Sequence, residues 1–190
     1  MTTLHLVRHG QSTWNVEGRL QGQAAGVPLT RVGREQAAGA ARALSSTPVD
    51  ALLTSDLLRA TQTAALIGAA LGVEPVPAPA LREQSLGDLE GRLSRDLVAE
   101  PTPAGLHVTE VRWGGGESIA DVHARVGAFL AALLADPPGD HVVLVSHADA
   151  IRVALAWLRG LGPREVEWVE VGHGVVTTVE PARLATPPPR

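Results

Sequence analysis

LVRHGQSTWN, residues 6–15, sets an Arg-His-Gly corner directly after a short apolar strand. Residues 4–7 supply the strand, and Gly10 permits the chain to leave it sharply. Arg8 and His9 then stand at the carboxyl end of the strand, where open α/β sheets bind ligands. Because the forked donors of arginine suit phosphate oxygens, the segment predicts a phosphate site with a reactive histidine beside a fixed positive charge.

Composition narrows the classes of protein that fit. The 190 residues, 45% of them hydrophobic, suffice for one globular domain, and we predict a catalytic domain over residues 1–180 and a proline-rich tail over 181–190. The net charge of -4 and the absence of a dense basic run argue against nucleic-acid binding. The absence of cysteine excludes disulfides and thiol catalysis.

The chain shows no pattern for secretion or membrane insertion. A secretory signal has an apolar core of about 7–15 residues after a basic start, whereas residues 1–7 run straight into the predicted site with His5 among them. No segment approaches the roughly 18 continuous apolar residues of a membrane span. We therefore expect a soluble, cytoplasmic protein with no membrane partner.

Strand-like and helix-like stretches alternate through the first half of the chain. Thr30 predicts the N-cap of a helix that ends near residue 44, and the strand Ala51–Thr54 follows it. Ser55 is predicted to cap the next helix, which ends near residue 71. The resulting β-α-β-α order is typical of a parallel sheet with helical crossovers.

The middle of the chain combines an irregular part with a long helix. Residues 73–81 contain three prolines and fit at best an edge strand, and residues 101–116 are predicted to form a loop. Residues 117–135 predict an amphipathic helix, because apolar residues recur at steps of three and four: Ile119, Val122, Val126, Phe129 and Leu133. We assign that aliphatic face to the core.

A second strand in this chain also ends in a histidine. The β-branched run His141–Ser146 predicts a buried strand, His147 follows it, and a helix begins near residue 149. Residues 165–171 and 175–180 complete the predicted strands. The fold class is therefore α/β, with three helix-sheet-helix layers and a mainly parallel sheet of roughly six strands.

Seven separated segments together resemble one protein family. In chain order they are RHGQSTWN at 8–15, GRLQG at 18–22, PLTRVGREQA at 28–37, SDLLRATQTA at 55–64, LREQSLGDLEG at 81–91, GGES at 115–118 and VSHADAIR at 145–152. This series resembles the histidine phosphatase superfamily, which has the phosphoglycerate-mutase-like fold, and it reaches to about residue 180. Within the superfamily, the chain looks most like the small broad-specificity and α-ribazole-phosphate phosphatases.

The resemblance implies that His9 is the nucleophile that accepts the phosphoryl group. A neutral imidazole attacks through one ring nitrogen, so its other nitrogen must keep a proton and donate it to a fixed acceptor. In the family that acceptor is the backbone carbonyl of the following glycine, here Gly10. A phosphohistidine divides hydrolysis into two in-line transfers, with water attacking in the second.

The resemblance also implies a clamp of donors on one phosphate group, because phosphoryl transfer requires stabilised charge on the equatorial oxygens. Arg8, Arg59 and His147 fit this role, although His147 taken alone fits a core histidine. Arg59 lies in the first turn of its predicted helix, where a lone cation opposes the helix dipole and a bound dianion reverses that penalty. Further phosphate contacts are implied for Asn15 and Gln21, which are also common turn formers, and for Gly22 and Ala148.

The leaving group needs a proton, which a carboxylic acid supplies and later recovers from water. Glu83 matches the acid of the family, and we expect burial and bound phosphate to raise the pKa of its carboxyl group. Glu90 and Asp88 are nearby alternatives, and either also fits a solvated charge. Asp149, where the family often has glycine, places a carboxylate beside the anion site and predicts weaker binding of highly charged substrates.

These residues predict a phosphatase of small phosphorylated metabolites that needs neither a metal nor another cofactor. Cofactor-dependent mutases of the family carry a long insertion between the positions of Glu83 and His147, and this chain is compact there. Residues 106–117 are predicted to cover the pocket, with Trp113 touching the leaving group or anchoring the core. The oligomeric state, a homodimer among the options, is not encoded in these motifs. The alternative functions are a phosphoglycerate mutase primed by 2,3-bisphosphoglycerate and a non-catalytic regulatory protein that binds phosphorylated ligands.

Overall fold

A five-stranded sheet forms the centre of the computed structural model, which describes residues 2–98 and 100–181. The strands are β1 (Thr3–Arg8), β2 (Ala51–Thr54), β3 (Pro75–Pro77), β4 (His141–Ser146) and β5 (Val176–Val179), in the spatial order β3-β2-β4-β1-β5. The first four run parallel, and β5 pairs antiparallel with β1. The predicted mainly parallel sheet is confirmed, with one strand fewer than expected in the described residues. Residues 182–190 of the predicted tail lie outside them.

The register of the central strands brings the predicted site residues together. Arg8, which ends β1, lies opposite Ser146, which ends β4. His9 and His147 therefore leave neighbouring strands at the same edge. Parallel pairing of β2 on the other side of β4 adds Ser55 to that edge. Three chain exits thus meet where ligands bind in this class of fold.

Helices cover both faces of the sheet, which confirms the predicted three layers. They are α1 (Thr13–Glu17), α2 (Arg31–Ala43), α3 (Leu58–Leu71), α4 (Ile119–Ala135) and α5 (Ala148–Leu158). Side chains of β1 and β4 alternate between two cores. Leu4 and Leu144 pack with α4 and α5 on one face, whereas Val7 and Val143 pack with α2 and α3 on the other.

Two of the long helices begin with a side-chain N-cap, and a third does not. Thr30 caps α2 as predicted, and Ser118 caps α4 one residue after the predicted start. The prediction that Ser55 caps α3 is wrong, because the N-cap is Leu57 and it has no side-chain cap bond. The hydroxyl of Ser55 instead lies 2.8 Å from a ring nitrogen of His147.

Residues 165–171 do not form the predicted sixth strand. The position beside β1 in the sheet is occupied by β5. Residues 165–171 instead pack against α5. Val166 and Val171 are buried in the same core as that helix, and Arg152 of α5 donates a hydrogen bond of 2.7 Å to the carbonyl of Val169. Contacts with a helix therefore replace the expected strand ladder.

The long connection between β3 and α4 is mostly irregular, as predicted for its 101–116 part. That part also contains two short 3₁₀ turns, Val108–Glu110 and Trp113–Gly115. No single helix in the described residues has both the length and the apolar composition of a membrane span. Among the described residues, only the pair Val108–Gly115 and Ile119–Ala135 has this length and composition when taken together. The two segments are bent by 100° relative to each other.

Candidate active site

His9 is buried directly after β1, and one hydrogen bond fixes its ring. Nδ1 lies 2.7 Å from the carbonyl oxygen of Gly10, the acceptor that the family resemblance implies. Because a carbonyl can only accept, Nδ1 carries the proton and Nε2 carries the lone pair. Burial and then the charge of Arg59 hold the pKa of His9 well below its ordinary value, so the ring is neutral at neutral pH. Nε2 is the nitrogen left to react.

Gly10 is required by close packing. The residue is not among the glycines with positive φ, so its role in the corner is not conformational freedom. A Cβ at this position would lie 2.1 Å from the carbonyl oxygen of Gly33, in the first turn of α2. On the other side, the Gly10 N–H donates to the Thr63 hydroxyl of α3 at 3.1 Å. The Arg-His-Gly corner is thus packed between α2 and α3.

Two arginines from different elements bring positive charge to the histidine. Arg59, in the first turn of α3 as predicted, is completely buried and donates to the carbonyl of Gly22 at 2.8 Å. Arg8, at the end of β1, donates to the carbonyl of Val171 at 2.5 Å. Burial lowers the pKa of Arg59 to about 10, which leaves it charged at neutral pH. Neither guanidinium forms an ion pair with a described residue, although the charge of Glu83 acts on both of them.

His147 lies beside His9, and the centroids of the two rings are 5.0 Å apart. Its Nε2 lies 2.8 Å from the Ser55 hydroxyl, and its Nδ1 is buried without a partner among the described residues. Burial and then Arg59 lower the pKa of His147 well below its ordinary value. Sequence analysis missed this function of Ser55, although its position directly after β2 places it at the right edge.

Ser12 orients the two predicted carboxamides. Its buried hydroxyl lies 2.8 Å from Asn15 Oδ1 and 2.9 Å from Gln21 Oε1. Asn15 Oδ1 also accepts from the Ser12 N–H at 2.9 Å, which completes a capping box for α1. Asn15 therefore has a structural role in its own turn. Because both carboxamide oxygens are engaged, the NH₂ groups are the parts of these side chains left to donate to a ligand.

The two backbone positions implied as phosphate contacts lie at the same edge. Gly22 adopts a positive φ of 47°, and a Cβ there would lie 2.2 Å from Glu90 Oε1. Its carbonyl accepts the hydrogen bond from Arg59. Ala148 directly follows His147 and is the first residue of α5, where backbone N–H groups have no acceptor within the helix.

Glu83 sits at the N-terminus of α5. Its carboxylate accepts from the backbone N–H of Asp149 at 3.3 Å, of Ala150 at 3.2 Å and of Gln84 at 3.0 Å. Burial and then the negative charge of Asp149 raise the pKa of Glu83 to about 7. A carboxyl group that titrates near neutrality can donate a proton in one step and accept one in the next.

The two alternatives for the acid have other surroundings. Asp88 is exposed in the 3₁₀ turn Gly87–Leu89. Glu90 accepts from the backbone N–H of Gln23 at 2.8 Å and of Leu86 at 3.1 Å, which fixes the surrounding loops. The geometry therefore favours Glu83 as the acid.

Arg125 and Glu117 hold the segment that carries Glu83, and neither was predicted. The Arg125 guanidinium donates to the carbonyls of three residues, Ala80, Arg82 and Glu83, at 2.8, 3.0 and 3.3 Å. It also pairs with the Glu117 carboxylate at 2.8 Å. Glu117 in turn accepts from the Ser85 N–H at 3.0 Å. The backbone on both sides of the acid is thus tied to α4 and the residue before its cap.

His173 is a further ring near His9, and sequence analysis did not single it out. Its centroid lies 5.7 Å from that of His9, with 61° between the ring planes. Its segment is tied to the end of β1, because the Gly174 N–H donates to the carbonyl of Arg8 at 3.0 Å. No local pattern marked this residue, which lies in the connection before β5.

A cavity of about 1340 Å³ lies next to the site, although neither His9 nor Glu83 lines it. Its wall includes Leu86, three residues after the acid, and Asp149 at the start of α5. Trp113 also lines it, from the segment predicted to cover the pocket. Asp149 is paired with Arg152 at 2.6 Å, so its carboxylate faces this space partly neutralised.

Fold and site together define an α/β protein with a histidine-centred anion site at the carboxyl edge of its sheet. The family model of the histidine phosphatase superfamily (branch 1) matches residues 4–184. The chain belongs to this superfamily, as its ordered motifs predicted.

Similar proteins include both named reaction types of the superfamily. A probable phosphoglycerate mutase GpmB from Yersinia enterocolitica is 38% identical over 167 residues, which cover 86% of this chain and 77% of that protein. A mycobacterial glucosyl-3-phosphoglycerate phosphatase, solved with VO3, is 32% identical with a TM-score of 0.85, covering 95% of this chain and 93% of the other. A proposed α-ribazole-5′-P phosphatase from Escherichia coli is 29% identical with a TM-score of 0.83, covering 93% and 89%.

Proposed function

We propose that the protein is a metal-independent phosphomonoester hydrolase that acts through a phosphohistidine at His9. The observation that carries the proposal is the 2.7 Å hydrogen bond from His9 Nδ1 to Gly10, which leaves Nε2 as the unprotonated ring nitrogen. The charges of Arg59 and Arg8 act on this ring. A lone pair beside fixed positive charge suits attack on a phosphate dianion.

The reaction consists of two transfers. In the first, Nε2 of His9 bonds to phosphorus while the bond from phosphorus to the leaving oxygen breaks, and Glu83 gives its proton to that oxygen. In the second, Glu83 takes a proton from water, whose oxygen attacks phosphorus and breaks the bond to Nε2. The products are an alcohol and inorganic phosphate, and Glu83 ends protonated as it began.

Stabilisation of the transferring phosphoryl group falls to donors from several elements. Two guanidinium groups and one imidazole supply the strongest contacts in this proposal: Arg8, Arg59 and His147. Neutral contacts come from the carboxamides of Asn15 and Gln21 and from the backbone at Gly22 and Ala148. Because the arginines supply fixed positive charge, the proposed reaction needs no metal and no other cofactor.

The space next to the site supports water as the phosphoryl acceptor in this proposal. The cavity that Leu86 and Asp149 line has a volume of about 1340 Å³, which leaves room next to the site for both a leaving group and water. The wall also carries apolar side chains, among them Leu20 and Trp113, which suit leaving groups larger than a three-carbon acid. The near-complete mutual coverage with the mycobacterial phosphatase supports the same conclusion. We propose small phosphorylated metabolites as the substrate class.

The test is release of inorganic phosphate from p-nitrophenyl phosphate without added metal, followed by a panel with 3-phosphoglycerate, sugar phosphates and α-ribazole phosphate. Rapid quenching of the reaction without acid should trap a phosphoryl group on His9. The substitution His9→Ala should abolish turnover. His123→Ala is the matched control, because His123 bonds to the carbonyl of Leu161 at 3.0 Å, outside the site. Turnover that persists in His9→Ala would overturn the mechanism.

A second candidate function is phosphoglycerate mutase, which the name of the Yersinia relative favours. A mutase would convert 3-phosphoglycerate to its isomer once primed with 2,3-bisphosphoglycerate, whereas the proposed phosphatase releases phosphate from it without isomerisation. A regulatory binder would bind phosphate and turn over no compound of the panel.

A further inference from the structure

Four buried side-chain polar atoms have no hydrogen-bond partner in the part of the chain that the structure describes. They are Arg8 Nε, Arg59 Nε, His147 Nδ1 and His173 Nε2. Folded proteins pair nearly all buried polar groups, because an unpaired one loses its bonds to water without replacement. Four such atoms around one histidine therefore indicate a ligand that supplies the missing partners.

Three of these atoms belong to residues already proposed to bind phosphate. The fourth belongs to His173, which lies in none of the motifs shared with the family. The rings of His147 and His173 both approach His9, at centroid distances of 5.0 and 5.7 Å. His173 thus has the same two properties as the proposed phosphate contacts, namely an orphaned polar atom and a place beside the nucleophile.

Contacts with β1 fix the position of His173. The side chain of Arg8 donates to the carbonyl of Val171, two residues before it, at 2.5 Å. The carbonyl of Arg8 accepts from the N–H of Gly174, directly after it, at 3.0 Å. Arg8, the residue that precedes His9, therefore holds the chain on both sides of His173.

His173 is neutral in the ligand-free protein. Burial and then the charge of Arg8 lower the pKa of His173 to about 4. A neutral imidazole has one N–H and one lone pair. An unprotonated phosphoryl oxygen accepts hydrogen bonds only, so its contact with this nitrogen selects the form with the proton on Nε2.

We propose that His173 is a further phosphate-binding residue, whose Nε2–H donates to an oxygen of the phosphoryl group that His9 accepts. This inference rests on the proposed function, since it concerns the same phosphoryl group. His173 contacts that group and not the leaving group. Removal of the His173 side chain should therefore lower kcat/KM for all phosphomonoesters by a similar factor. Removal of the acid, in contrast, should affect substrates according to their leaving groups.

The experiment compares three substitutions by calorimetric binding of orthovanadate and of inorganic phosphate. His173→Phe keeps an aromatic ring against His9 but removes the donor, His173→Ala removes both, and His173→Gln restores an N–H near the position of Nε2. We expect about 10-fold to 100-fold weaker binding for Phe and Ala, and binding within about 3-fold of the unsubstituted protein for Gln. His123→Ala should bind as the unsubstituted protein does.

Unchanged phosphate affinity in His173→Phe would overturn the proposal, because the ring would then serve packing alone. If the Phe and Ala variants do not fold, the ¹⁵N resonance of His173 Nε2 is measured in the unsubstituted protein. Saturating phosphate should shift this resonance. A resonance that does not move would also overturn the proposal. Binding needs no turnover. Failure of the hydrolase proposal would appear as no phosphohistidine and no released phosphate while the binding differences persist.

Discussion

Glu83 lies between two opposing influences at the start of α5. Three backbone N–H groups stabilise its carboxylate, whereas burial and Asp149 favour its protonated form and prevail, raising the pKa to about 7. Protonated acid is therefore present at neutral pH and declines above it. This balance makes the pH dependence of the first transfer a direct readout of Glu83.

Glu83→Gln should separate substrates by leaving group. We expect kcat/KM to fall about 10²-fold to 10⁴-fold for an alkyl phosphate, whose alkoxide needs a proton, and far less for p-nitrophenyl phosphate. In the unsubstituted protein, kcat/KM for the alkyl substrate should decrease as pH rises through about 7, since the ionised carboxylate cannot donate. Equal losses on both substrates would contradict the role of Glu83 as the acid.

Asp149→Asn should change the same titration. Removing the negative charge that helps to raise the pKa of Glu83 should shift the decline in kcat/KM to lower pH. It should also improve KM for doubly phosphorylated substrates relative to singly phosphorylated ones, because a carboxylate that repels their second charge is gone. Glu167→Gln is a suitable control, since Glu167 pairs with Arg159 on the exposed side of α5. An unchanged pH profile and an unchanged substrate ranking would refute the prediction.

Residues whose chemistry depends on local sequence could be located before the structure. The corner at His9 and the position of Arg59 fall into this class, because a strand end and a helix start place these side chains. Glu83 lies in irregular chain and was located through the family resemblance alone. Ser12 and His173 could not be found in this way. Their functions arise from contacts with distant segments, such as the tie between Arg8 and the loop of His173.

At the scale of elements, α4 acts as a support for the acid. Arg125 donates to three carbonyls of residues 80–83 and to Glu117. Arg125→Ala leaves these half-buried acceptors without their donor, and we expect a loss of about 2–3 kcal/mol in the free energy of unfolding. It should also lower kcat for alkyl phosphates more than for p-nitrophenyl phosphate.

Arg112→Ala provides the matched control for this variant. Arg112 also makes a two-pronged bond to a carboxylate, that of Asp121, but on the surface of α4. Exposed pairs contribute at most about 1 kcal/mol, so denaturation and turnover should both stay close to those of the unsubstituted protein. Similar effects of the two substitutions would show that Arg125 does not position Glu83.

Element prediction succeeded where periodicity and capping agreed. β4 has the predicted bounds, and α2 and α4 begin within one or two residues of theirs. It failed for residues 165–171, because recurring valines indicate a partly buried segment but not the element that buries it. Here α5 buries Val166 and Val171, and the adjacent sheet position belongs to β5.

At the scale of the whole molecule, the site makes stability depend on pH. Burial lowers the pKa values of His9, His147 and His173 in the folded state, the last to about 4. Below the ordinary value of 6.5, the unfolded chain therefore binds more protons than the folded one, and stability is lost as pH falls. Glu83 has the opposite effect, since its pKa is raised, but three histidines outnumber one carboxyl group.

We expect the Tm to fall between pH 7 and pH 5, and His173→Gln to make that fall smaller, because one of the three proton differences is removed. Thermal denaturation across this range tests both statements. A Tm that does not change with pH would mean that these rings do not titrate as their burial requires.

The prolines of β3 bear on how the molecule behaves among copies of itself. β3 is an outer strand of the sheet, and two of its three residues are Pro75 and Pro77. Proline has no backbone N–H, so this border cannot template a continuous ladder with a strand from another chain. Val76 is exposed between the two prolines, which prevent a strand of another chain from pairing along it. The same residues that shorten the strand thus block edge-to-edge pairing with another chain at this border of the sheet.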